Sequence, residues 1–381
     1  MNSKVLRGLT WEHPRGFDSI NGASSIYAEI VPKVEIKWEF RSLQAFADRS
    51  IEELATEFDL LVIDHPHIPI AAEKGTFAPF LNPRLFLELE LIKNQSVGKS
   101  FESYEHGGRI WALPIDAAAQ VSASRIPELP VHPERWEEVL ELAKDGRVAW
   151  PLKPIDAYSS LITLAANMGY PPMSNPGEFL PIEQTIEVMD FMLNLVQYLP
   201  KSNFAMNPIE VADLLSSDSP WIYSPLLFGY TNYSRFGFRK HLLRYRNIPL
   251  GKEGLSGSLL GGAGIAVSSQ SKSIPEAQDF ALWLASADIQ RTIYFDAGGQ
   301  PGNSVAWDDP RLNQQTQNFF SGTRDTLQKS YLRPRDSRYI AVQDLISPLV
   351  TQTLTGELKN SSFAQAANQI CEKLLGVKNG I

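Results

Sequence analysis

Asp64-His65-Pro66-His67 places three titratable side chains and a rigid proline within four residues, directly after the run Asp59-Leu60-Leu61-Val62-Ile63. A second polar loop, Glu12-His13-Pro14-Arg15-Gly16, ends in a guanidinium, and Asp116 stands alone in the apolar stretch around 110–119. Carboxylates, guanidinium and imidazole hold hydroxyl or anionic groups through charge-assisted hydrogen bonds. Two histidines flanking a proline could also face a metal ion. Transition-metal sites take three or four ligands at fixed geometry, and no third partner to His65 and His67 is identifiable. Hydrogen-bonded loop histidines and direct ligand contact are the other two readings.

These residues need elements to hold them. The unbroken apolar run at 59–63 is the pattern of a strand buried on both faces of a parallel sheet. In open α/β sheets, the loop leaving the carboxyl end of a strand is where ligands sit. A strand over 5–11 empties into the Glu12–Gly16 loop in the same way. Val34, Ile36, Trp38 and Phe40 alternate with Glu35, Lys37 and Glu39, the period of a half-exposed strand. Ser50 and Glu53 form a capping box before a short helix. Strand, helix, strand, helix, strand is the rhythm of a parallel sheet with helical crossovers. Further along, 109–114 reads as one strand, and the small residues of 117–124 suit tight packing or a bend between domains. Helices are expected from Pro133, over 158–168, and from Ile182 through Val196. The six glycines between 251 and 264 make the longest flexible stretch. A last capping box is expected at Ser362 to Gln365.

Composition bounds the function. The chain has 381 residues and a net charge of −8, with no run of Lys and Arg to carry nucleic-acid binding. One cysteine, Cys371, allows no intrachain disulfide and no cysteine metal cluster. No apolar run reaches the ~20 residues of a membrane span. The N-terminus lacks the apolar core of a signal peptide, so a cytoplasmic location stays open beside an exported one. Gly261-Gly262-Ala263-Gly264 is not followed by the Lys-Ser/Thr of a phosphate loop, which leaves close backbone packing as the better reading. There is no Gly-x-Ser-x-Gly elbow and no distinctive carboxylate pair. Neither catalytic residues nor a cofactor or metal are expected. Trp11, Trp111, Trp150, Tyr158, Trp221, Tyr223, Tyr230 and Tyr233 fall at or near strand ends. Such rings either stack on the C–H faces of sugars or fill the core.

Four segments resemble the carbohydrate-type extracellular solute-binding proteins of ABC importers, family 1. They are 58–80, with its strand, ligand loop, helix and glycine; 107–125, with its strand through Leu113-Pro114; the Pro133-Glu134-Arg135-Trp136 helix; and 261–303, with its glycine pair, Ser273-Ile274-Pro275-Glu276-Ala277 and Gly299-Gln300-Pro301-Gly302-Asn303. The resemblance covers nearly the whole chain. It implies a two-lobed, type II periplasmic-binding-protein-like α/β fold, each lobe a mostly parallel sheet with helices on both faces and a hinge between. Lobe 1 would hold 1–113 and 263–308, and lobe 2 would hold 114–262 and 309–381. It implies a monomeric, periplasmic or extracellular binding protein, not an enzyme, that captures a small polar solute by hinge closure and hands it to permease subunits. A cytoplasmic ligand sensor or an enzyme reusing the fold is the alternative. By position, the family's ligand loops correspond to Trp11, Glu12, His13 and Arg15; Asp64, His65 and His67; Asp116; Tyr158; Trp221 and Tyr223; and Gly261 and Gly262. Arg15 and the histidines would suit an acidic sugar or another small anion.

Overall fold

The computed structural model describes residues 4–41 and 49–376. The chain forms two compact units, Met1–Ala118 with Gly261–Gln314, and Ala119–Leu260 with Gln315–Ile381.

The first unit starts with β1 (Lys4–Trp11), α1 (Phe17–Ile30), β2 (Val34–Arg41), α2 (Ile51–Glu57), β3 (Leu60–Ile63) and α3 (Ile68–Glu73). In β2 the burial alternates along Val34–Trp38, as its two-residue period dictates, whereas all four residues of β3 are buried. Ser50 caps α2 by accepting the Glu53 N–H at 3.2 Å. The sheet order is β2, β1, β3, Gly264–Val267, Ala112–Pro114. β1 runs parallel to both β2 and β3, and Gly264–Val267 runs antiparallel to both its neighbours. Four of the five strands therefore point the same way. Leu9, Ile20, Leu60, Leu61, Ile265 and Phe280 are fully buried between sheet and helices. The expected continuous strand over 109–114 is broken at Trp111. Its N–H donates to the Tyr104 carbonyl at 3.1 Å and its indole N–H to the His106 carbonyl at 2.9 Å. Arg109–Ile110 is thereby left in a separate hairpin with Glu105–His106.

In the second unit the central strand is Ala118–Ile126, flanked by Tyr223–Phe228 and Leu242–Arg246. Both pairings are antiparallel, so the mostly parallel sheet expected of each lobe holds only in the first unit. Of the two readings of the small residues of 117–124, tight packing holds and the bend does not: 118–126 is this strand, buried over its first eight residues. Its serines find partners that small polar residues need when buried: Ser122 Oγ donates to the Asn247 carbonyl at 2.6 Å, and His132 sits between Ser122 and Ser124 at 2.6 and 3.0 Å. Helices Pro154–Asn167, Ile182–Val196, Tyr339–Leu354 and Asn360–Leu375 close the core. The first of them begins four residues earlier than expected, with Pro154 in its first turn, where the missing N–H costs nothing. The last begins at Asn360, so Ser362 lies inside the helix rather than capping it. The helix expected from Pro133 starts at Trp136, after Glu138 has accepted the N–H groups of Glu134 and Arg135 at 2.7 and 3.1 Å.

Gly251 and Gly257 are tightly packed rather than loose. Asn167 donates to the Gly254 and Ser256 carbonyls, both at 2.9 Å, and a Cβ on Gly251 or Gly257 would lie 2.1 or 2.5 Å from atoms of Asn167. Among the described residues no helix is long and apolar enough to cross a membrane. Cys371 is buried, which pushes its thiol up to about 12.

Candidate functional site

The topology of the first unit carries the ends of four strands to one edge of the sheet, β2 ending at Arg41 opposite Trp11. β1 ends there at Trp11, β3 at Ile63 and the fourth at Pro114, while the antiparallel strand begins there, with Gly264 opposite both Ile63 and Pro114. Among the described residues, the loops at that edge are therefore 12–16, 64–67, 115–116 and 261–263.

Backbone hydrogen bonds fix the first loop tightly. The Glu12 N–H reaches the Arg41 carbonyl at 2.8 Å, and the Gly16 and Phe17 N–H groups converge on the His13 carbonyl at 2.8 and 2.7 Å, leading straight into α1. The Arg15 N–H donates to His13 Nδ1 at 3.0 Å, so that nitrogen holds a lone pair and the ring proton sits on Nε2. Ser19 Oγ donates to the Arg15 carbonyl at 2.6 Å.

Arg15 and Asp116, distant in sequence, form a buried two-pronged ion pair: Nε donates to Oδ2 at 2.6 Å and Nη2 to Oδ1. Arg15 is 4% exposed and Asp116 1%. Burial pushes the Asp116 carboxyl above the ordinary range, Arg15 pulls it down and the charge of Asp64 adds to the rise. A guanidinium keeps its proton, so protonating Asp116 would strand a buried cation, and the pair stays ionised at neutral pH. Arg15 is thus committed to Asp116 rather than offering an open cation to an anion.

Around this pair, Asp64 and Glu12 are exposed, His67 is half-buried, and His13 and His65 are buried. The His65 ring meets Tyr104 edge-on at 6.4 Å. Tyr294 lies near enough for the charge of Asp116 to raise its phenol further above an already burial-raised value. Gly262 has φ +101°, and a Cβ there would lie 2.4 Å from the Asp116 carbonyl oxygen. Gly261 is half-buried beside it. Trp11 is buried, with its indole N–H unpartnered among the described residues. Among those residues no three His, Cys, Asp or Glu side chains gather as metal ligands.

The remaining sequence candidates lie in the second unit. Tyr158 and Tyr223 are wholly buried: Tyr158 Oη donates to Tyr339 Oη at 3.3 Å, and the Tyr223 ring meets His132 edge-on at 5.3 Å. Their rings serve the core of that unit. Trp221 is half-buried in the loop before the Tyr223–Phe228 strand. The sequence reading overlooked Tyr104 and Tyr294, which no spacing marks.

No family model matches the chain. Solved structures do. The maltose-bound MalE3 of T. maritima superposes with a TM-score of 0.83 at 16% identity, covering 97% of this chain and 98% of that one. The ribitol complex of an ABC transporter solute binding protein from Agrobacterium radiobacter K84 gives 0.82 at 18% identity, over 98% and 99% of the two chains. An ABC transporter solute binding protein from Thermotoga lettingae TMO, bound with alpha-D-tagatose, gives 0.81 at 15% identity, over 98% and 100%. The chain has the type II periplasmic-binding-protein-like α/β fold of these solute-binding proteins.

Proposed function

We propose that the protein is the substrate-binding component of an ABC importer, capturing a small polyhydroxylated solute, a carbohydrate or sugar acid, without transforming it. The observation that carries this reading is the backbone likeness over at least 97% of the chain to proteins holding maltose, ribitol and tagatose. The sheet edge of the first unit supports it locally. Exposed Asp64 and Glu12 are acceptors for hydroxyl donors, on a floor stiffened by the Arg15–Asp116 pair. Capture would proceed by closure of the two units on the solute, contacts from both favouring the closed state. The place of work would be the periplasm or cell exterior, the partner a permease, and the working form a monomer.

A thermal-shift panel of sugars, sugar acids and polyols tests this. A solute bound only by the folded state at a hundred times its Kd stabilises by about 2.7 kcal/mol. A clear rise with one chemical class is expected. No shift with any member would sink the proposal, and steady conversion of a bound sugar would replace it with an enzyme.

A further inference from the structure

Arg333 lies in the second unit and is 9% exposed. Its Nη2 donates to the Leu260 carbonyl at 3.2 Å. Its Nε is buried with no partner among the described residues, and no carboxylate among them forms an ion pair with it. The acid nearest in sequence, Asp336, accepts both prongs of Arg338, at 2.8 and 2.6 Å. A guanidinium keeps its charge at any working pH, and a buried charge lacking a counter-charge is strongly unfavourable. Buried polar groups left unsatisfied in native proteins call for a missing water, ion or ligand.

The side chain is also held in place. The Tyr331 N–H donates to the Ser258 carbonyl at 2.7 Å and the Leu260 N–H to the Tyr331 carbonyl at 3.0 Å, zipping the segment to 258–260. Pro334 biases Arg333 toward extended backbone. Its charge is felt at the Tyr339 hydroxyl, where it opposes the rise caused by burial. Nothing here resembles a surface arginine waving in solvent.

We propose that Arg333 is an anion-accepting site, and that the solute this protein carries bears a carboxylate, as a sugar acid does. The inference rests on the solute-binding reading above and narrows its substrate class.

Matched pairs test it: D-ribonate against ribitol, and D-gluconate against glucitol, titrated calorimetrically into wild type and Arg333→Gln. One charge-assisted contact corresponds to about tenfold or more in affinity. The acids are expected to bind wild type at least about tenfold more tightly than their polyols, and Arg333→Gln is expected to abolish that preference while leaving polyol binding nearly unchanged. Melting of the ligand-free protein gives a second readout. Arg333→Met, which removes a cation lacking a counter-charge, is expected to melt no lower than wild type. A marked fall would make Arg333 a structural pin on Leu260 and overturn the proposal. Equal affinity for acid and polyol, insensitive to Arg333→Gln, would overturn it too while leaving the importer reading intact. Binding of neither class would bring down both.

Discussion

The ion pair between Arg15 and Asp116 is the residue on which the first unit's candidate site turns. Sequence alone made Arg15 an open cation, because nothing in the spacing links position 15 to position 116; the topology that brings two strand ends together does. Removing one partner of such a pair leaves a buried charge uncompensated, at a cost of ~3–5 kcal/mol. Asp116→Ala is therefore expected to lose about that much in urea unfolding. The double variant Arg15→Met with Asp116→Leu, which removes both charges together, is expected to lose less than the single change. A loss within ~0.5 kcal/mol for Asp116→Ala, the range of ordinary surface substitutions, would refute the pairing. Asp156, in the first turn of Pro154–Asn167, gives a pH signature of its own. Burial raises its carboxyl to about 7, with the charge of Glu210 adding and Lys153 opposing. The folded state then binds a proton that the unfolded chain has already released above pH ~4. The contribution of Asp156 to stability is consequently full below that value, falls as pH rises toward 7 and levels off above it, by up to about 4 kcal/mol. Chemical denaturation of Asp156→Asn across pH 4–8 should show a flatter profile than wild type. Parallel profiles would show that Asp156 is not the group responsible.

Elements were legible where burial imposes a period. The alternation of β2 and the solid apolar run of β3 follow directly from one covered face and two. The loops at the carboxyl ends of β1 and β3 followed from that. The Ala118–Ile126 strand was not legible, because AAQVSASRI is mostly small residues, with Val121 and Ile126 its only β-branched ones, and the polar positions of its short alternation are buried like the apolar ones. What makes it a strand is non-local: two antiparallel neighbours, and acceptors for Ser122 on the 242–247 segment. The 251–257 glycines misled for the same reason. Gly251 and Gly257 let the backbone approach Asn167, a residue more than eighty positions earlier. Asn167→Ala would leave the Gly254 and Ser256 carbonyls without their donor in a part-buried setting, a loss of about 1–3 kcal/mol. The change should also loosen that segment selectively, seen as faster amide exchange over 251–257 than over the Gly264–Val267 strand. Unchanged exchange there would mean the loop is held by something other than Asn167.

At the scale of the molecule, each unit has a core of its own, and neither is one continuous piece of chain. The first unit's core is complete by Tyr294. The second depends on its last two helices: Tyr339, Val342, Ile346 and Val350 from one, and Phe363, Ala367 and Cys371 from the other, join Tyr158, Leu161, Val188 and Met192 in a single buried cluster. Asn368 adds a polar clamp, accepting the Phe179 N–H at 2.7 Å and donating to the Leu180 carbonyl at 2.8 Å. Composition gave no hint of this dependence, since the C-terminal helices look like any amphipathic pair until their apolar faces have somewhere to go. Ending the chain after Ser337 strips seven fully buried side chains from the second core and exposes the surfaces they covered. At roughly 2–5 kcal/mol for each large buried side chain lost, that exceeds the whole stability of a typical domain. Limited proteolysis of the shortened protein is expected to degrade 119–260 while fragments from 4–118 and 261–314 persist. The full chain should resist at both. Equal resistance of the shortened protein over 119–260 would show that the second core closes without its terminal helices, and equal loss of both units would show that the first does not stand on its own core.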